Sequence, residues 1–225
     1  ALLESALPGL GGAARVAALS TLGEIALRHS DAPDAAEQAR RRFEEALALD
    51  ATAVRALRGL EDIALSTRDP EALALAFERE AAASPAPERR AELARELARR
   101  HESEGRLDEA ALWADRLAEL EPTAEAWQRC VRLHELRGDD VSLCRALAAL
   151  DAYAGEGDRL ALRRRVGALR AALGEDAEAC RAFAAALALD PADVPSLEAL
   201  ADLHARAGRA GDQVLVLDLL ALHTT

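Results

Sequence analysis

The amino-acid sequence predicts an all-α chain of about six antiparallel helix–turn–helix units, on three observations. The first is composition. Alanine and leucine supply roughly two residues in five, aromatics only 3%, and all 28 basic residues are arginine, with no lysine, asparagine or methionine. Ala, Leu, Arg and Glu are strong helix formers, whereas an all-β domain needs Val, Ile and aromatics. The depleted residues share AT-rich codons, a bias that a GC-rich genome would produce. The second observation is an amphipathic run that returns near a spacing of 34 residues, as from Phe43 to Phe77. The third is a Gly- or Asp-rich turn between such runs, every 33 to 37 residues.

Residues 1–15 read as a remnant: Ala1 to Leu7 resembles the last turns of a preceding helix, and Pro8-Gly9 and Gly11-Gly12 turn the chain. The first unit, 16–53, closes on FEEALALDA (Phe43 to Ala51) and carries about four extra residues in its turn, Ser30 to Asp34. The second, 54–87, turns at Thr67-Arg68-Asp69-Pro70 and closes on FEREAAASP (Phe77 to Pro85). The third, 91–124, turns at Glu104-Gly105-Arg106 and closes on WADRLAELEP (Trp113 to Pro122). The fourth, 125–158, turns at Arg137-Gly138-Asp139 and follows the pattern least well. The fifth, 160–193, is the cleanest, with Leu173-Gly174-Glu175 before FAAALALDP (Phe183 to Pro191); the sixth, 194–225, turns at Ala207-Gly208-Arg209. Each closing run has apolar residues three and four apart and ends where a helix stops.

A unit of this length and punctuation resembles the tetratricopeptide repeat. Leu22-Gly23 and Val166-Gly167, and more weakly Leu97-Ala98 and Leu200-Ala201, occupy the family's large-then-small pair. Ala39, Ala110 and Ala179 match its small residue early in the second helix; Phe43, Phe77 and Phe183 follow one turn on, then Ala46 and Ala186. Pro85, Pro122 and Pro191 close their repeats, and Trp127 falls near the family's tryptophan. The resemblance covers nearly the whole chain and implies a single right-handed α-solenoid domain over 1–225. Sel1-like and HEAT-type repeats fit the periods less well, and short helices with regular turns disfavour a heptad coiled coil.

The net charge of -12 opposes broad binding to nucleic acids or acidic membranes. No apolar run approaches the ~20 residues of a membrane span. The chain begins at Ala1 without methionine, which reads as a fragment of a longer protein from which a targeting segment would be missing. Cys130, Cys144 and Cys180 lack CxxC spacing and read as small core residues of a reducing, cytoplasmic compartment. The last helix, Gln213 to Leu222, is apolar nearly all round. It is expected to pack on further repeats or on another copy of the chain, because repeat arrays bury their faces by stacking.

Catalytic and ligand motifs are scarce, and neither a cofactor nor a metal is expected. His101-Glu102-Ser103-Glu104-Gly105 stops short of HExxH, there is no Walker loop, and Gly155-Glu156-Gly157-Asp158 lacks both a third glycine and a preceding strand. His101, His134 and His204 fall at the family's recurrent tyrosine place in first helices, about 10 Å apart, too far to share ligands at ~2.1 Å.

In tetratricopeptide arrays the first helices line a concave groove for a peptide, so the resemblance locates function there. Helical phase assigns this face to Glu24; Arg58 and Asp62; Arg95, Arg99 and Glu102; Gln128, Arg132 and Glu135; Arg164 and Ala168; Glu198 and Asp202. Its middle is arginine-rich (Arg58, Arg95, Arg99, Gln128, Arg132, Arg164) and its flanks are acidic. Arginine presents a planar fork to carboxylates. A non-catalytic scaffold that docks a peptide or protein partner, with an acidic segment or C-terminal carboxylate on the basic stripe, is the expected function. The alternative is a regulatory or sensory segment of a larger kinase, transcription regulator or envelope assembly factor. The family's chaperone-tail clamp uses lysine and asparagine, and neither residue occurs here.

Overall fold

A computed structural model describes residues 2–29 and 34–223, with side chains at 4–28, 34–155 and 157–223. Of the enlarged turn expected from Ser30 to Asp34, residues 30–33 lie outside the described residues, as does Ala1 at the start of the expected remnant. The described residues form thirteen α-helices and two 3-10 turns without a strand. They divide into two compact units, Ala1–Glu104 and Gly105–Thr225, taken separately below.

In the first unit, α1 (Leu2–Ala6) and a 3-10 turn (Leu7–Gly9) precede α2 (Gly12–His29), α3 (Ala35–Leu49), α4 (Val54–Thr67), α5 (Pro70–Ala83) and α6 (Pro87–Ser103). These bounds follow local chemistry. Pro70 and Pro87 stand at first helical positions, where the missing N–H costs nothing. The Asp69 carboxylate caps α5 by accepting from the Glu71 and Ala72 amides at 3.1 and 3.0 Å. Pro87 also explains why α6 begins four residues before the repeat boundary read at 91. Arg68, which ends α4, is left-handed at φ 54°, a conformation that costs a non-glycine residue roughly 1–2 kcal/mol.

One core cluster of this unit is built around the Phe43 ring. Phe43 of α3 is fully buried between Gly23 of α2 and Gly59 of α4. A Cβ at Gly23 would lie 2.5 Å from the ring, and one at Gly59 would lie 2.2 Å from it. The small residue of Leu22-Gly23 is thus the space the phenylalanine fills. Leu7, Ala18, Leu19, Ala39, Ala46, Ala56 and Ile63 complete the cluster.

The second unit runs through α7 (Leu107–Leu120), α8 (Ala124–Arg137), α9 (Asp140–Leu150), a 3-10 turn (Asp151–Tyr153), α10 (Glu156–Ala172), α11 (Asp176–Leu187), α12 (Val194–Arg206) and α13 (Ala210–His223). Thr123, Asp139 and Asp193 cap α8, α9 and α12 through the amides of Ala126, Ser142 and Ser196. Gly138 ends α8 in a left-handed conformation at φ 65°, which glycine adopts without a Cβ penalty. The glycine–aromatic contact recurs here: a Cβ at Gly167 of α10 would lie 2.8 Å from the Phe183 ring of α11. Phe183 joins Ala179, Leu200 and Leu203 in the core.

Two places depart from the regular pattern. The fourth repeat has the short α9 followed by the 3-10 turn, in keeping with its weak sequence match. α13 buries none of its residues, and Val214, Leu215, Leu217, Leu219 and Leu222 are exposed on it.

Candidate functional site

In the first unit an open cavity of about 580 Å³ is lined by first-helix residues: Glu24 and Arg28 of α2, Arg55, Arg58, Gly59, Glu61 and Asp62 of α4, and Arg89 and Glu92 of α6. Four arginines face four carboxylates. Arg55 grips Glu24 at 2.9 Å. Arg58 and Arg89 converge on Glu80 of α5, whose side chain is only 1% exposed; Arg58 Nε donates to Oε1 at 3.1 Å and Arg89 Nη2 to Oε2 at 2.9 Å. Arg89 also reaches Glu61 at 2.9 Å and Glu92 at 3.4 Å.

Of the carboxylates on Arg89, Glu80 and Glu61 are shifted in opposite directions. Burial raises the Glu80 pKa, but hydrogen bonds from Arg89 and Arg58 outweigh it and hold the carboxyl below its usual range. Burial pushes Glu61 up, with Arg89 opposing and the Glu80 charge adding to the rise.

The first-helix residues named from sequence have these places. Arg58 lies in the cavity on Glu80, beside Glu24 and Asp62. Arg95 and Arg99 are exposed on α6, where Arg99 Nε donates to Glu96 at 3.0 Å. In the second unit Gln128 and Arg132 are exposed on α8. Arg164 of α10 lies 3.4 Å from Asp193, the buried cap of α12. Glu135 accepts from Arg165. A second open cavity, of about 490 Å³, is lined by Gln128 and Arg165 among others.

Sequence reasoning missed Arg89 and Glu80, although Glu80 left a signal. It lies three residues after Phe77, where the Phe43 and Phe183 runs place the fully buried Ala46 and Ala186. A carboxylate in an alanine place announces a buried partner.

The second unit also gathers a cysteine, a histidine and an aspartate. Asp115 of α7 binds His134 Nε2 at 3.0 Å and Arg145 Nη2 at 2.6 Å, and is hydrogen-bonded to Cys130 of α8. Arg137 Nη1 lies 3.3 Å from His134 Nδ1. With Nδ1 accepting from that guanidinium, the ring proton is assigned to Nε2, which donates to Asp115. A nucleophilic cysteine needs a depressed pKa and access to solvent. Cys130 has neither: it is fully buried, and burial followed by the Asp115 charge pushes its thiol up to about 12. The network ties α7, α8 and α9 together. Ellman's reagent at pH 8 will therefore label the half-buried Cys180 of the native chain and leave Cys130 and the buried Cys144 unlabelled until denaturant is added. Rapid native labelling of Cys130 would contradict this geometry.

Helix pairs of recurrent length pack an aromatic ring of the second helix onto a glycine of the first, in both units. This recurrence resembles the tetratricopeptide repeat. No protein-family model and no curated protein matches the chain. Among solved structures, the chain is similar to the crystal structure of MamA, at 14% identity and a TM-score of 0.42 over 73% of this chain and 94% of that one. It is similar to the structure of Naa15/Naa10 bound to HypK-THB, at 13% identity and a TM-score of 0.46 over 92% of this chain and 31% of that one. It is also similar to YrrB, described as a TPR protein with an unusual peptide-binding site, at 16% identity and a TM-score of 0.36 over 88% and 96%.

Proposed function

We propose that this tetratricopeptide-like chain is a non-catalytic protein-interaction scaffold that docks a peptide or protein segment on its first-helix face. What supports the reading is that an open cavity in each unit is lined mainly by first-helix residues. A preference for acidic partners is carried by the exposed arginines Arg95 and Arg99 of α6 and Arg132 of α8. An arginine already oriented by a neighbouring carboxylate keeps its remaining N–H donors for a second acceptor. Among the described residues no helix is long and apolar enough to cross a membrane. We place the chain in the cytoplasm, a reducing compartment suited to three unpaired cysteines. The exposed leucines of α13 pack on further repeats or on another copy, which concentration-dependent association abolished by Leu215→Asp would support.

The test compares proteins recovered from source-cell lysate by the immobilised chain, by Arg95→Glu/Arg99→Glu, and by Arg132→Glu, all with unchanged circular dichroism. Loss of a specifically recovered partner from either variant is the expected result. Unchanged recovery overturns the acidic preference, and recovery no better than a bead control overturns the scaffold reading.

A further inference from the structure

The feature that the repeat pattern does not absorb is the break between α9 and α10. The residues after Leu150 form a 3-10 turn, and Gly155 then starts α10. This turn is pinned. Asp151 accepts from Arg163 Nε at 3.1 Å and Nη2 at 3.0 Å and from Arg159 Nη2 at 3.4 Å, while Arg163 Nη1 donates to the Ala185 carbonyl of α11 at 2.8 Å. A turn so fastened presents its side chains at little entropic cost on binding.

The presented side chain is Tyr153, the only tyrosine in the chain, which is 45% exposed. It lines the 490 Å³ cavity together with Leu150, Leu162, Gln128, Asp158 and Arg165. That volume lies in the range of small-ligand pockets. Leu150 and Leu162 make an apolar wall, and the Gln128 amide offers both a donor and an acceptor to a peptide backbone. The charges are unequal in availability: Arg165 is engaged by Glu135, whereas Asp158 makes no ion pair among the described residues. The open electrostatic demand of the pocket is therefore for a cation.

We infer that this pocket holds a partner peptide by one large apolar residue, leucine- to phenylalanine-sized, with a lysine or arginine beside it that meets Asp158. The apolar side chain seats between Leu150, Leu162 and Tyr153, and the adjacent base supplies the charge the pocket lacks. The inference rests on the first-helix face being a docking face, and it assigns to the second unit a residue class that its exposed arginines do not select.

The test is selection from a random dodecapeptide library on the full chain, followed by titration of the enriched peptides. Sequences pairing Leu, Met or Phe with an adjacent Lys or Arg are expected. Ala161→Trp, at an exposed lining position, fills the pocket and weakens these peptides about tenfold or more. Asp158→Arg weakens basic-flanked peptides about tenfold and favours acidic-flanked ones. Both positions are exposed, and Tyr153→Ala replaces either variant if its circular dichroism changes. Enriched peptides that bind both tested variants as they bind the wild type overturn the pocket but leave the docking face standing. Absence of any enriched peptide overturns both.

Discussion

Replacing Phe43 with alanine will lower the unfolding free energy by about 3–5 kcal/mol, the range for truncating a large core aromatic. The ring is fully buried, and the space left by Gly23 and Gly59 has no other occupant, since each glycine approaches this ring closely. A companion substitution distinguishes this packing from a generic cavity. Gly59→Ala gains about 1 kcal/mol of helix propensity but drives a methyl into the ring, an overpacking that costs about 1–3 kcal/mol. In the wild type the net effect is destabilising. In the Phe43→Ala background the methyl has room, and the same change becomes stabilising. Urea unfolding of the four chains measures the coupling. Additive effects would show that the ring and the glycines do not share one space.

Arg89→Ala will cost about 3 kcal/mol. Removing one member of a buried ion pair typically costs 3–5 kcal/mol because the other charge stays desolvated. The low end applies because Arg89 itself is 27% exposed and Arg58 still reaches Glu80. The pH dependence identifies the group responsible. In the wild type the Glu80 carboxyl is held below its ordinary value, so its contribution is complete above about pH 4.5 and is lost as pH falls through the depressed value. Asp115, Asp139 and Asp151 are depressed too and act in the same sense. Glu61 is raised, so its contribution is present at low pH and lost as pH rises through its raised value, which partly opposes the others. In Arg89→Ala, Glu80 stays buried without its main donor and protonates more readily. The gap between variant and wild type therefore narrows as the buffer is taken from pH 7 toward pH 3. A gap constant over that range would mean the loss comes from packing of the arginine stem rather than from the Glu80 charge.

Much of the architecture was legible because it is local and repeated. The turn at Arg137-Gly138-Asp139 needs only a glycine free to be left-handed and an aspartate to cap the next helix. Gly23 and Phe43 could be matched without coordinates because the same pair recurs as Gly167 and Phe183. Gly59 could not: the second glycine on Phe43 comes from the following helix α4, and no repeated sequence pair marks it.

Helix period and capping act over a few residues, so the helices, their turns and the recurrent alanine and phenylalanine positions can be read along the chain. Which charges meet is set by packing. Arg58 and Arg89 reach Glu80 from 22 and 9 residues away, on helices whose facing is set by packing. Of the arginines that look like a basic stripe along the chain, Arg58 lies in the first cavity, where four arginines stand among four carboxylates. The Asp151 turn likewise draws its partners from Arg159 and Arg163, one and two turns into the next helix, and a pocket follows from closure that no run of residues encodes. Helical periodicity specifies a face; which opposite charge lies across it depends on how neighbouring helices pack.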